Sequence, residues 1–168
     1  MIVAGIDPGL VRTGYAFIRA GAAGRLEVCE AGVLSLGRGG PVPARLKLLY
    51  EQVRDLLQEF RPDEIAVESL YSQYRHPQTA ILMGHARGVV LLAAALAGVA
   101  VTAYAPAQIK KSITGNGRAT KQQMERMVQA LLGLPQPPHP SDAADALAAA
   151  ICHANAILHG TPGAAMVR

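Results

Sequence analysis

The chain has no tryptophan, two phenylalanines, five tyrosines and only two cysteines in its 168 residues. Cys29 and Cys152 lie far apart and lack the close spacing of metal-binding thiols, which excludes a disulfide framework and a thiolate metal site. Charge is also sparse, at 17% against 51% hydrophobic, so the composition is that of a globular chain rather than a disordered one. Met1-Ile2-Val3 carries no basic lead-in and Asp7 interrupts the apolar run, so no signal peptide is expected and the expected location is cytoplasmic. No repeat or linker divides the sequence, and a single domain over 1–168 is expected, with the tail from Leu158 disordered. One stretch without charge, Gly88 to Ile109, is long enough to span a bilayer. Its Ala and Gly content, with Gly98 in the middle and Pro106 near the end, predicts instead the buried end of a helix, a stop, and a strand over Val99 to Tyr104, with no membrane partner. Sixteen Lys+Arg against twelve Asp+Glu give a net charge of +4, which permits an anionic partner without requiring one.

What is present is organised around Ile2-Val3-Ala4-Gly5-Ile6-Asp7-Pro8-Gly9. β-Favouring residues lead to an aspartate, and Pro8-Gly9 then turns the chain towards a second run, Gly14 to Ile18. Asp7 thus ends an interior strand, where it is either a turn cap or one member of a metal site that needs further carboxylates. A third strand is predicted around Leu26 to Leu36, then an amphipathic helix over Pro43 to Phe60 carrying Leu46, Leu49, Val53, Leu56, Leu57 and Phe60 at spacings of three and four. A fourth strand, Glu64 to Glu68, again ends in an acid. Helices are predicted from about Pro77 to Ala97, from about Lys121 to Leu132, and from near Ser141 onward. Three successive strands followed by alternating strands and helices predict an α/β fold, a five-stranded mixed sheet with helices on both faces.

Two further acids complete a pattern. Asp142 and Asp145 are spaced i, i+3 among alanines, so they share one helix face and have no neighbouring cation in sequence. Each acid alone has a structural explanation, Asp142 as a first-turn acid favoured by the helix dipole, for example. Together, Asp7, Glu68, Asp142 and Asp145 are four oxygen donors that would repel one another unless divalent cations neutralised them. Such a site suits Mg²⁺ or Mn²⁺, and two ions can clamp the oxygens of an in-line phosphoryl displacement.

Gly5-Ile6-Asp7-Pro8-Gly9, Val67-Glu68, Gly84-His85-Ala86-Arg87-Gly88 and Asp142-Ala143-Ala144-Asp145-Ala146-Leu147 together resemble the RuvC family of Holliday junction resolvases, in order from residue 2 to about 157. The resemblance implies a ribonuclease H-like fold, a homodimer, Mg²⁺-dependent endonucleolytic cutting of four-way DNA junctions in recombination and repair, and joint action with RuvA and RuvB. It carries the family's catalytic acids onto Asp7, Glu68, Asp142 and Asp145. A basic segment, Lys110, Lys111, Arg118 and Lys121 around Gly115-Asn116-Gly117, can follow a phosphate backbone or be a solvated face. The resemblance matches Lys110 and Lys121 to lysines near the scissile phosphate. Tyr71, in a polar loop with Tyr74 and Arg75, resembles the family's stacking aromatic; an exposed ring there can stack on an unpaired base. His139, in Pro137-Pro138-His139-Pro140, reads as a loop histidine or a proton shuttle. Other readings stay open on the residues alone: a ribonuclease H-like nuclease acting on ribosomal RNA precursors, a non-catalytic junction-binding protein, or an ATPase of the actin and sugar-kinase class.

Overall fold

A computed structural model describes residues 1–21, 24–69, 77–160 and 165–166. The strands are β1 (Ile2–Asp7), β2 (Arg12–Ala20), β3 (Leu26–Ser35), β4 (Glu64–Glu68), β5 (Ala100–Tyr104) and a two-residue β6 (Ala165–Met166). They form one mixed sheet in the order β3-β2-β1-β4-β5-β6. The five expected strands are all present, and β6 pairs antiparallel with β5 at the edge. The helices are α1 (Val42–Phe60), α2 (Pro77–Ala97), α3 (Pro106–Thr114), α4 (Lys121–Leu132) and α5 (Ser141–His159).

β1 is central, antiparallel to β2 and parallel to β4. Side-chain alternation along it divides the interior in two. Val3 joins the core under α3, α4 and α5, whereas Ala4 and Ile6 join the core under α1 and α2. Asp7 shares the parity of Val3 and therefore leaves β1 on the α5 side. Ile6 pairs with Val67, so the next residues, Asp7 and Glu68, leave neighbouring parallel strands at the same edge. The turn between β1 and β2 is closed by Thr13, a fully buried residue whose hydroxyl donates to the Gly9 carbonyl at 2.7 Å and accepts from its amide at 3.2 Å.

α5 lies directly on β1 and β2 because two glycines admit it. A Cβ on Gly5 would come within 2.0 Å of the Ala146 carbonyl oxygen, and one on Gly14 within 1.9 Å of the Asp142 carbonyl oxygen. Gly14 pairs with Asp7 across the β1–β2 ladder, so the start of α5 sits over the end of β1. Ala143, Ala144, Ala146 and Ala150 are all buried, and their short side chains permit this approach.

Two expectations change. The helix α3 falls where only a basic connecting segment was foreseen. Its signals are present in sequence: Pro106 in the first turn, Ile109 and Ile113 one turn apart and buried, and Gly115 at φ 76° after its end. The other change concerns α2, which is buried along one face only. Val90, Ala93 and Ala94 pack inward, while Leu92 and Leu96 remain 54% and 67% exposed. Gln78–Ala97 is long and apolar enough to cross a membrane by length and composition alone.

Candidate active site

Each acid owes its place to a different local rule. Asp7 and Glu68 are set by strand parity and register, and Asp142 and Asp145 by the first turns of α5, whose helix begins directly after Pro140. The electrostatics record the convergence. Burial, with Asp145, Glu68 and Asp142 adding repulsion in that order and Lys121 opposing, raises the Asp7 carboxyl from 3.8 to about 7. Glu68 is raised chiefly by burial and then by Asp145, with Lys110 and Lys121 acting against the shift. Acids from β4 and α5 thus all bear on Asp7 at the end of β1.

Two cations already hold the helical pair. Lys121 Nζ donates to Asp145 Oδ2 at 3.1 Å. Arg12 Nη2, from the first residue of β2, lies 3.0 Å from Asp142 Oδ2. That oxygen is buried yet accepts no well-aligned hydrogen bond, so the Arg12 contact satisfies its charge but not its hydrogen-bonding capacity. Both cations are about half exposed, so water reaches the cationic side of each pair. Lys110, on α3, stands near enough to Glu68 to favour its charged form. Lys111 and Arg118 are exposed, with no ion pair to the acids among the described residues. Tyr71 and Arg75 lie outside the described residues.

The residues suit a hard divalent cation. The donors are all carboxylate oxygens, and two of them carry an unfavourable charge in their present surroundings, which a metal ion would relieve. As they stand, no three acidic, histidine or cysteine side chains among the described residues converge closely enough to hold one ion. Asp142 and Asp145 each pair with a cation while also facing Asp7.

Sequence reasoning missed Arg12, because its contact with Asp142 spans most of the chain. It also left His153 unexplained beyond a structural role. His153 is buried on α5, with Nε2 2.9 Å from Glu64 Oε2 and Nδ1 2.7 Å from the Tyr104 hydroxyl. An ionised carboxylate only accepts, so Nε2 carries the proton and Nδ1 accepts from Tyr104. Burial pushes the Tyr104 phenol up to about 12, which keeps it a donor. This chain of bonds ties α5 to β4 and β5 beyond the acids.

Burial lowers the His153 pKa, with Glu64 offsetting part of the effect. The native imidazole therefore resists the proton that the unfolded chain takes up near pH 6.5, so stability falls as pH drops below about 6.5. His153→Gln should cost about 1–3 kcal/mol at pH 7.5 and flatten this acid loss relative to wild type. Urea unfolding of both proteins at pH 7.5 and 5.5 measures it; an equal difference in stability at the two values would show that the imidazole does not titrate as described.

The chain is similar to known proteins along nearly its whole length. The family described as crossover junction endodeoxyribonuclease RuvC matches residues 3–153. The crossover junction endodeoxyribonuclease RuvC of Syntrophomonas wolfei is 45% identical over 153 residues, covering 91% of this chain and 88% of that protein. That of Rhodopirellula baltica is 48% identical over 151 residues, covering 89% and 84%. In structure, Thermus thermophilus RuvC in complex with a Holliday junction substrate superposes with a TM-score of 0.92 at 38% identity, covering 99% of each chain. With its ribonuclease H-like fold, its strand-end and helical acids and relatives this similar along nearly the whole length, the chain belongs to the RuvC family of crossover junction endodeoxyribonucleases.

Proposed function

We propose that this protein resolves four-way DNA junctions by hydrolysing phosphodiesters at a site built on Asp7, Glu68, Asp142 and Asp145. The observation that carries the reading is the Asp7 carboxyl, raised to about 7 by burial beside three other acids, an arrangement that is costly until a cation binds. Mg²⁺, or Mn²⁺ in its place, would be held by these four carboxylates, with two ions as the expected number. Bound there, divalent ions supply Lewis-acid activation of the phosphate and lower the pKa of an attacking water. The chain's own part is to orient and neutralise. Lys121, freed from Asp145, and Lys110, beside Glu68, meet the charge of the scissile phosphate. Lys111 and Arg118 line the neighbouring exposed surface and follow the backbone away from the cut, and Arg75 and Tyr71 contact the strand at the crossover, Tyr71 by stacking.

The working unit is a homodimer. Resolution takes two nicks in strands of like polarity, and one chain carries one cluster of acids, so a two-fold pair supplies the second. The exposed face of α2 supports this. Ile81, Leu92 and Leu96 are 58%, 54% and 67% exposed, and their spacings place them along one stripe of the helix. A second copy presenting the same stripe would cover it. The setting is cytoplasmic, in concert with RuvA and RuvB.

The decisive experiment uses a synthetic four-way junction, with linear duplex and single-stranded RNA alongside. Wild type should cut the junction into two nicked duplexes, and a mixed dimer carrying Asp7→Asn in one subunit should nick one strand and stop. Preferential cutting of the RNA, or two nicks from the mixed dimer in one binding event, would sink the proposal.

A further inference from the structure

The acids of the site do not stand free. Asp142 is paired with Arg12 and Asp145 with Lys121. Lys121 belongs to the basic segment already assigned to the substrate. Arg12 comes from a different element, at the first position of β2 just beyond the Pro8-Gly9 turn. It is half exposed, its Asp142 partner is three-quarters buried, and the oxygen it faces lacks a well-formed hydrogen bond. A half-exposed cation paired to a largely buried acid has two places to put its charge, that acid or an anion arriving from solvent.

Resting on the reading of the site as a metal-dependent nuclease, we infer that Arg12 is an exchangeable counter-cation. It occupies Asp142 in the metal-free enzyme, competes with the metal ion for that carboxylate, and is handed to a phosphate of the bound DNA when the ion takes its place. The exchange conserves charge locally: the carboxylate trades a guanidinium for a divalent ion, and the guanidinium trades a carboxylate for a phosphate, which its planar fork fits equally well. It also links the two ligands. The ion frees Arg12 for a phosphate, and by reciprocity bound DNA favours the ion, so metal and DNA bind with positive cooperativity.

Two measurements test it. Titration calorimetry of Mn²⁺ into DNA-free protein should give about two- to five-fold tighter binding for Arg12→Gln than for wild type, the effect of removing a competing cation that water partly screens. Arg19→Gln, at the far end of β2, should change nothing. Junction binding in EDTA is then measured against salt. Arg12→Gln should leave the log–log slope of wild type unchanged, because Arg12 is held by Asp142. In an Asp142→Asn background, where Arg12 is released, it should lower the slope by about 0.9. Unchanged Mn²⁺ affinity in Arg12→Gln, or equal slope changes in both backgrounds, overturns the exchange while leaving the metal site intact. Mn²⁺ binding that neither Asp7→Asn nor Asp142→Asn weakens overturns the site assignment itself.

Discussion

Asp7→Asn should make the metal-free protein more stable while removing its ability to cut. The native carboxyl titrates near 7 instead of 3.8, so ionising it in the folded state carries a cost. The sign follows from the raised value. Below pH 3.8 the proton is bound in both folded and unfolded chains and no cost exists. Between 3.8 and about 7 the unfolded chain has lost it and the folded one retains it, so stability falls as pH rises. At pH 8 the accumulated cost approaches about 4 kcal/mol, an upper bound because water reaches part of the site. Asparagine resembles the protonated acid and escapes this cost. Its melting temperature at pH 8 without metal should exceed that of wild type by up to roughly 8–15 °C, and the gap should close towards pH 4. Added Mn²⁺ should narrow or reverse the order, since only wild type gains from full binding. Junction binding should persist, because a negative charge facing phosphate has been removed. A variant that melts no higher than wild type at pH 8, or that cuts within a few-fold of it, would contradict this account of Asp7.

Gly14→Ala should separate folding from catalysis. The added Cβ would meet the Asp142 carbonyl oxygen at 1.9 Å and its carbonyl carbon at 2.5 Å. Backbone atoms cannot rotate away as a side-chain tip would, so the first turn of α5 must lift from β2 by an ångström or more. The displaced residue is itself one of the acids. Because a helix end yields more easily than its middle, the cost in stability should be about 1–3 kcal/mol. Cleavage should fall about a hundredfold, the effect of misplacing a reacting group by about 1 Å. Gly5→Ala makes the equivalent clash with Ala146 and Ala150 in mid-helix, where no frayed turn can absorb it. That variant should lose about 3 kcal/mol or more. Circular-dichroism melts and single-turnover cutting of a four-way junction measure both. Near-normal cutting by Gly14→Ala would mean that α5 does not need its close seat on the sheet.

Much of the architecture was legible along the chain because it depends on neighbours. The alternating and continuous apolar runs marked β1 to β5, the three-and-four spacing of Leu49, Val53 and Leu57 marked α1, and Pro140 and Ser141 marked the start of α5. The four acids were legible for the same reason: two end strands, and two share a helix face. Even α3, which was missed, announced itself through Pro106, Ile109, Ile113 and Gly115. Tertiary structure decided the rest. Sequence alone gave no sign that Gly5 and Gly14 serve as seats for α5, that Arg12 closes on Asp142, or that Tyr104, His153 and Glu64 form one chain of bonds. Nor did it show that α2 turns an apolar stripe outward rather than burying its end. The physical reason is range. Periodicity, caps and turns arise from interactions over a few residues and leave their pattern in the sequence, whereas the ionisation of Asp7 and the pairing of Arg12 depend on distances between elements, which exist only once α5 has packed onto the sheet.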